Sequence, residues 1–181
     1  VSWDAAALRC AIGDLLEGRI GLVRTLDEGR FAPGVFKGQP EETQKSLAVQ
    51  TQTARHRYDV ELGGMRNHIA TGVATLGPRR IAEVGVTVRV TTAVVTPNQR
   101  AQRDTDIGEI LQDCSDAAWA LAYPGCLAET FEGDATGLID GGSLLGPGDA
   151  SVADVQIVNE DWQRQLITTE IRGRVIVDLS A

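Results

Sequence analysis

The sequence predicts an α+β domain, in which a mostly antiparallel sheet of about four to five strands carries two main helices on one face, with long loops between the elements. Three observations lead there. Residues 55–62 and 80–95 alternate apolar and polar side chains with the period of two that marks a half-buried strand. Two separate stretches repeat apolar residues at helical spacing. A further alternating block, residues 155–179, closes the chain, so strands come in runs punctuated by single helices.

Ser2 is placed to cap the first helix and Asp4 falls in its first turn; Leu8, Ile12, Leu15 and Leu16 then recur at i, i+4, i+7 and i+8, and the helix should end near Gly18. Residues 20–26 and 31–36, broken by Gly29, Pro33, Gly34 and Gly38, predict a short strand and an irregular connection. The polar stretch 39–52 fits a short exposed helix or a loop, with Pro40 suited to a first turn and Glu41 and Glu42 near the positive end of a helix dipole. The first long strand places His56, Tyr58, Val60 and Leu62 on one side and Arg55, Arg57, Asp59 and Glu61 on the other. Gly63 and Gly64 should end it, leaving a loop over about residues 63–79.

Val84, Val86, Val88, Val90 and Val94 share one face of the strongest strand, expected at the centre of the sheet, and Pro97 and Asn98 break it. Asp104, Thr105 or Asp106 can cap the second helix, whose apolar stripe is Ile107, Ile110, Leu111, Cys114, Ala117, Ala118 and Leu121; Pro124 and Gly125 stop it. Residues 129–153, rich in Gly and Asp, predict a second long loop. The closing block offers strands around 155–158 and 166–179, the second alternating Ile167, Thr169, Ile171, Val175 and Val177, with a turn near Asn159, Glu160 and Asp161. Val86, Val88 and Val90 should be buried against Ile110 and Leu111, because these are the largest apolar surfaces available.

Composition agrees with one folded domain over residues 1–181. The chain is 43% hydrophobic and 23% charged, with a formal net charge of −8, which excludes disorder and fibrous repeats. Its longest apolar run, residues 117–123, is far short of the ~18 needed to cross a bilayer. Asp4, Arg9, Asp14 and Glu17 interrupt the beginning where a secretion signal would be apolar, so cytoplasmic synthesis is expected. Cys10, Cys114 and Cys126 form no close pair, so reduced thiols are expected; Cys10 and Cys114 should act as small hydrophobes on the helix stripes.

No catalytic, cofactor or metal site can be assembled from the motifs. Gly63-Gly64 and Gly141-Gly142 lack the spacing and following Lys of a phosphate loop. His56 and His68 share no ligand spacing with each other or with a Cys, and His56 fits a hydrogen-bonded core residue. Asp134, Asp140, Asp149 and Asp154 match no tight calcium loop. No nucleophile has a recognisable base and orienting acid, so no enzymatic activity is expected.

Charge placement is the feature that stands out. Residues 1–90 carry 12 basic and 10 acidic side chains, residues 91–181 only 5 basic against 15 acidic. On the second helix Asp106, Glu109, Asp113 and Asp116 form one stripe at i, i+3, i+7 and i+10, and the predicted helix holds no Lys or Arg to balance them. The stripe is either a solvated face, a contact for a basic partner surface, or a surface that repels a polyanion. Arg55, Arg57, Arg66, Arg79 and Arg80, around the long strand pair, are the candidate partners.

The order of these elements, and the closing hairpin from Val155 to Leu179, resembles the tail terminator proteins of long-tailed bacteriophages, over roughly two thirds of the chain by layout alone. That resemblance implies a structural virion protein, assembled in the host cytoplasm, forming a homo-oligomeric ring with a hexamer expected. The ring would terminate the tail tube and join it to the head, contacting the tail-tube protein and the head-closure or connector protein. DNA would be only a passing polymer in the lumen, no membrane is involved, and Asp106, Glu109, Asp113, Asp116, Arg55, Arg57, Arg79 and Arg80 are the candidates for subunit contact or lumen. Another neck, head-closure or tube-like ring protein is the alternative in the same class. A small α+β ligand-binding regulatory domain using the open sheet face is the alternative in another.

Overall fold

The computed structural model describes residues 4–16, 31–33, 56–70, 79–122, 136–141 and 151–179. In chain order these are α1 (Ala5–Leu16), β1 (Phe31–Pro33), β2 (His56–Ala70), β3 (Arg79–Ala93), α2 (Arg100–Ala122), β4 (Ile139–Gly141), β5 (Ser151–Val152), β6 (Asp154–Asp161) and β7 (Leu166–Asp178). Long antiparallel strands β2, β3, β7 and β6 lie side by side, with β1 parallel on β2 and the short β4 and β5 attached beyond β7. Both helices pack on one face, giving the α+β class that the alternation predicts. The predicted strand at 20–26, the helix or loop at 39–52, and Ser2, Gly18 and Cys126 lie outside the described residues.

The core follows the register. Val60 lies opposite Val88, which lies opposite Ile171; Tyr58, Val90 and Thr169 form the next row, and His56, Thr92 and Ile167 the one after. These side chains meet Leu8, Ile12, Leu15 and Leu16 of α1 and Ile110, Cys114, Ala117, Ala118 and Leu121 of α2. Leu111, expected in the core, is only half-buried and lies outside this cluster, because the sheet-facing stripe of α2 runs through Ile110, Asp113, Cys114, Ala117, Ala118 and Leu121. A carboxylate thus occupies the i+3 position of an otherwise apolar stripe.

Several boundaries differ from expectation for identifiable reasons. Asp4 is the cap of α1 itself: its Oδ1 accepts from the backbone N–H groups of Ala6 and Ala7 at 2.9 and 3.2 Å. Cys10 is exposed, since it projects from the side of α1 opposite Leu8, Ile12 and Leu15. Gly63 and Gly64 do not end β2. They form a bulge across which the pairing steps from Leu62–Val86 to Met65–Val84, and the strand continues to Ala70. Of the predicted loop 63–79, only residues 71–78 lie outside the described residues.

α2 starts at Arg100, ahead of the predicted caps. The Asn98 N–H donates to Gln102 Oε1 at 3.4 Å, and the Arg103 N–H to the Gln99 carbonyl at 3.3 Å, closing the first turn. Thr105 donates instead to the Ala101 carbonyl four residues back, as an interior helical residue does.

The predicted loop 129–153 holds structure at both ends. Leu138 is fully buried and its N–H caps the Leu121 carbonyl of α2 at 2.6 Å, while Thr136 exchanges hydrogen bonds with the Ile176 backbone. β4, β5 and the buried Ala153 follow, and residues 129–135 and 142–150 lie outside the described residues. In the closing hairpin β6 runs on through Asn159, Glu160 and Asp161, and the turn follows directly at residues 162–165. Gln165 ends that turn with a positive φ of 60°, and its carbonyl accepts from the Val94 N–H at 2.9 Å, just past the end of β3.

Candidate functional site

Three groups of polar side chains stand out, one inside the domain and two on its surface. The interior group joins α2 to the sheet. His56 of β2 and Thr92 of β3 face each other across the ladder, and Asp113 of α2 descends on them from above. His56 Nε2 donates to Asp113 Oδ2 at 2.8 Å, and Nδ1 lies 2.6 Å from Thr92 Oγ1. The imidazole also packs against the Phe31 ring of β1, with centroids 4.8 Å apart. His56 is therefore the hydrogen-bonded core residue that its place on the apolar strand face suggests.

A hydroxyl, an imidazole and a carboxylate in series can activate a nucleophile, but a nucleophile must meet its substrate. Thr92 is 1% exposed and Asp113 4%, so this trio works as a tie between β2, β3 and α2. Next to Asp113, burial pushes the Cys114 thiol up to about 12, the carboxylate charge adds to the rise, and the Thr169 hydroxyl offsets only part of it. That thiol stays protonated and unreactive.

The second group is the outer side of α2. Of the four predicted stripe residues, Asp113 is turned inward, which corrects its assignment to a contact or lumen surface; its apolar neighbours at i−3 and i+4 fix that orientation. Glu109 is exposed, while Asp106 and Asp116 are half-buried, and Asp116 accepts from Gln112 at 2.9 Å. The earlier start of α2 also places Arg103 on this helix, where it clamps Glu160 of β6 at 2.7 and 2.8 Å. Trp119, 65% exposed, stands on the same outer side. Sequence reasoning passes over it, although its absence from the apolar stripe is a usable signal.

The third group covers the sheet face on which, among the described residues, no helix packs. Arg89 of β3 donates to Glu61 of β2 at 2.9 Å and to Glu170 of β7 at 3.2 Å. Arg172 also donates to Glu170 at 2.6 Å, and Arg174 pairs with Glu83. Burial pushes the Glu170 carboxyl up, but hydrogen bonds from Arg172 and Arg89, with their charges, outweigh it and hold that carboxyl below its ordinary range. Arg57 lies on this face too, on the far side of the sheet from α2. Arg79 and Arg80 open β3 opposite Ala70 and Ile69, and Arg55 lies outside the described residues. Of the arginines predicted as partners of the α2 stripe, Arg57 is thus not brought against it within one chain.

Among the described residues, no group of three or more His, Cys, Asp or Glu is placed to hold a metal ion, and no helix is long and apolar enough to cross a membrane. The molecule belongs to the class of α+β domains with one helix-covered and one charged sheet face. No protein-family model matches the chain, and no curated protein matches it in sequence.

Proposed function

We propose that this chain is a structural subunit of a long-tailed phage virion, a ring-forming terminator that ends the tail tube and joins it to the head. One observation carries the reading: helix, long hairpin, helix and closing hairpin follow in that order on one mostly antiparallel sheet. This is the layout on which the resemblance to tail terminators rests.

Two surface features support it. Head-to-tail rings need unlike patches on each subunit, and the acidic outer side of α2 differs in charge from the exposed stretch of β2 that carries Met65 and Arg66. On the charged sheet face Arg89, Arg172 and Arg174 are already held by carboxylates, so a passing polyanion meets cations that are largely neutralised. The partners are then a second copy, the tail-tube protein and the head-closure protein, with DNA passing through the lumen. Negative-stain images of the purified protein, alone and mixed with tail tubes, test this: rings that cap tube ends are expected. A monomer that binds a metabolite and ignores tubes would overturn it in favour of a regulatory domain.

A further inference from the structure

We propose that two copies of this chain join head to tail, with the outer side of α2 on one copy gripping the outer half of β2 on the next; the inference rests on the ring reading above. Four large hydrophobic side chains are exposed among the described residues: Met65, Val95, Trp119 and Val158. Two of them sit beside charges of opposite sign. Trp119 is one turn from Asp116 on α2 and ten residues from Glu109, which at ~100° per residue places all three within a band about 80° wide. Met65 is followed directly by Arg66 on β2.

The β2 segment has the form of something to be gripped. A strand lying on a core hides alternate side chains, yet residues 63–67 are exposed in unbroken succession, beginning at the Gly63-Gly64 bulge. Among the described residues, β1 pairs with β2 only as far as Tyr58, so this outer half presents an edge. Successive side chains point to opposite sides of a strand, so Met65 and Arg66 flank that edge and one partner surface must wrap it to reach both.

The chemistry of the two surfaces is complementary. A thioether packs favourably at the edge of an indole, which pairs Met65 with Trp119 on one side of the strand. On the other side the Arg66 guanidinium, with its long stem, can reach round to donate to Asp116 or Glu109. Glu83, which faces Arg66 across the ladder, is engaged by Arg174. Tryptophan and arginine are also residue types that often anchor protein interfaces. Because the two patches are different surfaces of one molecule, the contact is heterologous and propagates from copy to copy until it closes.

Sedimentation velocity at constant salt on the whole chain tests the contact, using Trp119→Ala, Arg66→Glu, Asp116→Lys and the double variant Arg66→Glu/Asp116→Lys. Unchanged thermal midpoints verify that each variant is folded. Each single substitution should weaken self-association by about tenfold or more, and the double charge swap should recover much of the loss. Wild-type assemblies that the single substitutions leave intact would overturn this contact alone. Weakened singles with no recovery in the double swap would overturn the pairing of Arg66 with Asp116. A wild-type chain that stays monomeric at every concentration, or that associates only with an unrelated basic protein, would overturn both the contact and the ring.

Discussion

His56 and Asp113, 57 residues apart in the chain, share a 2.8 Å hydrogen bond in the interior and so fix where α2 sits on the sheet. Removing Asp113 leaves the buried Nε2–H of His56 without its carboxylate acceptor. Asp113→Ala should therefore cost about 3–5 kcal/mol, whereas Asp116→Ala, nearly one turn on and half-buried, should stay within about 0.5 kcal/mol. Urea unfolding of the two variants checks this, and equal losses would mean that the buried bond has no special weight.

Ile110 and Leu111 are adjacent but not equivalent. Ile110 is fully buried and Leu111 is not, so Ile110→Ala should cost about 2–5 kcal/mol. Leu111→Ala should cost clearly less. The same denaturation series ranks them, and the reverse order would mean that α2 is rotated differently on the sheet.

Gly13 lets α1 approach β2 closely, since a Cβ there would lie 2.7 Å from the Tyr58 hydroxyl oxygen. Gly13→Ala should therefore destabilise by about 1–3 kcal/mol through overpacking. Adding Tyr58→Phe removes the obstructing oxygen and should restore part of the loss. A thermal melt of the single and double variants reads the difference.

Cys114 sets an alkaline limit. Its thiol titrates at about 12 in the folded chain against an ordinary value of 9.0, so the folded state holds its proton where the unfolded state releases it. The associated stability is complete below pH 9 and is lost as pH rises towards 12, with a slope of up to about 1.4 kcal/mol per pH unit. Cys114→Ala should flatten that decline. In native protein an alkylating reagent should label the exposed Cys10 and spare Cys114, as mass spectrometry would show.

Glu170 acts in the opposite direction. Its lowered titration means that stability is present above the ordinary carboxylate range and is lost as pH falls through the folded value. Glu170→Gln should weaken the protein at neutral pH and make its acid unfolding less steep. A pH series of melting temperatures tests this, and identical acid limbs in both proteins would show that the arginine contacts do not hold in solution.

The strands are legible in the sequence because alternation records burial directly: His56, Tyr58, Val60 and the valines from Val84 to Val90 each state which face is covered. Other features need information that lies far away in the chain. A pair of glycines serves a turn or a bulge equally well, and only the continued pairing of Met65 with Val84 distinguishes the two. Asp113 reads by its charge as part of an outward acidic stripe, although Ile110 and Ala117 at i−3 and i+4 place it on the buried side; only its partner His56, 57 residues away, is not written nearby. The ladder of Glu61, Arg89 and Glu170 joins three strands, and its members become neighbours only once the register is known.

The position of β7 also governs how the molecule can come into being. It lies between β3 on one side and both β6 and β4 on the other. Until residues 166–178 have been made, the sheet has a gap in its middle, and the valine face of β3 lacks its neighbouring row. Helices and the first hairpin can gather beforehand, but the core closes only when this late strand slots between partners already waiting, which favours slow folding with exposed strand edges in the interval.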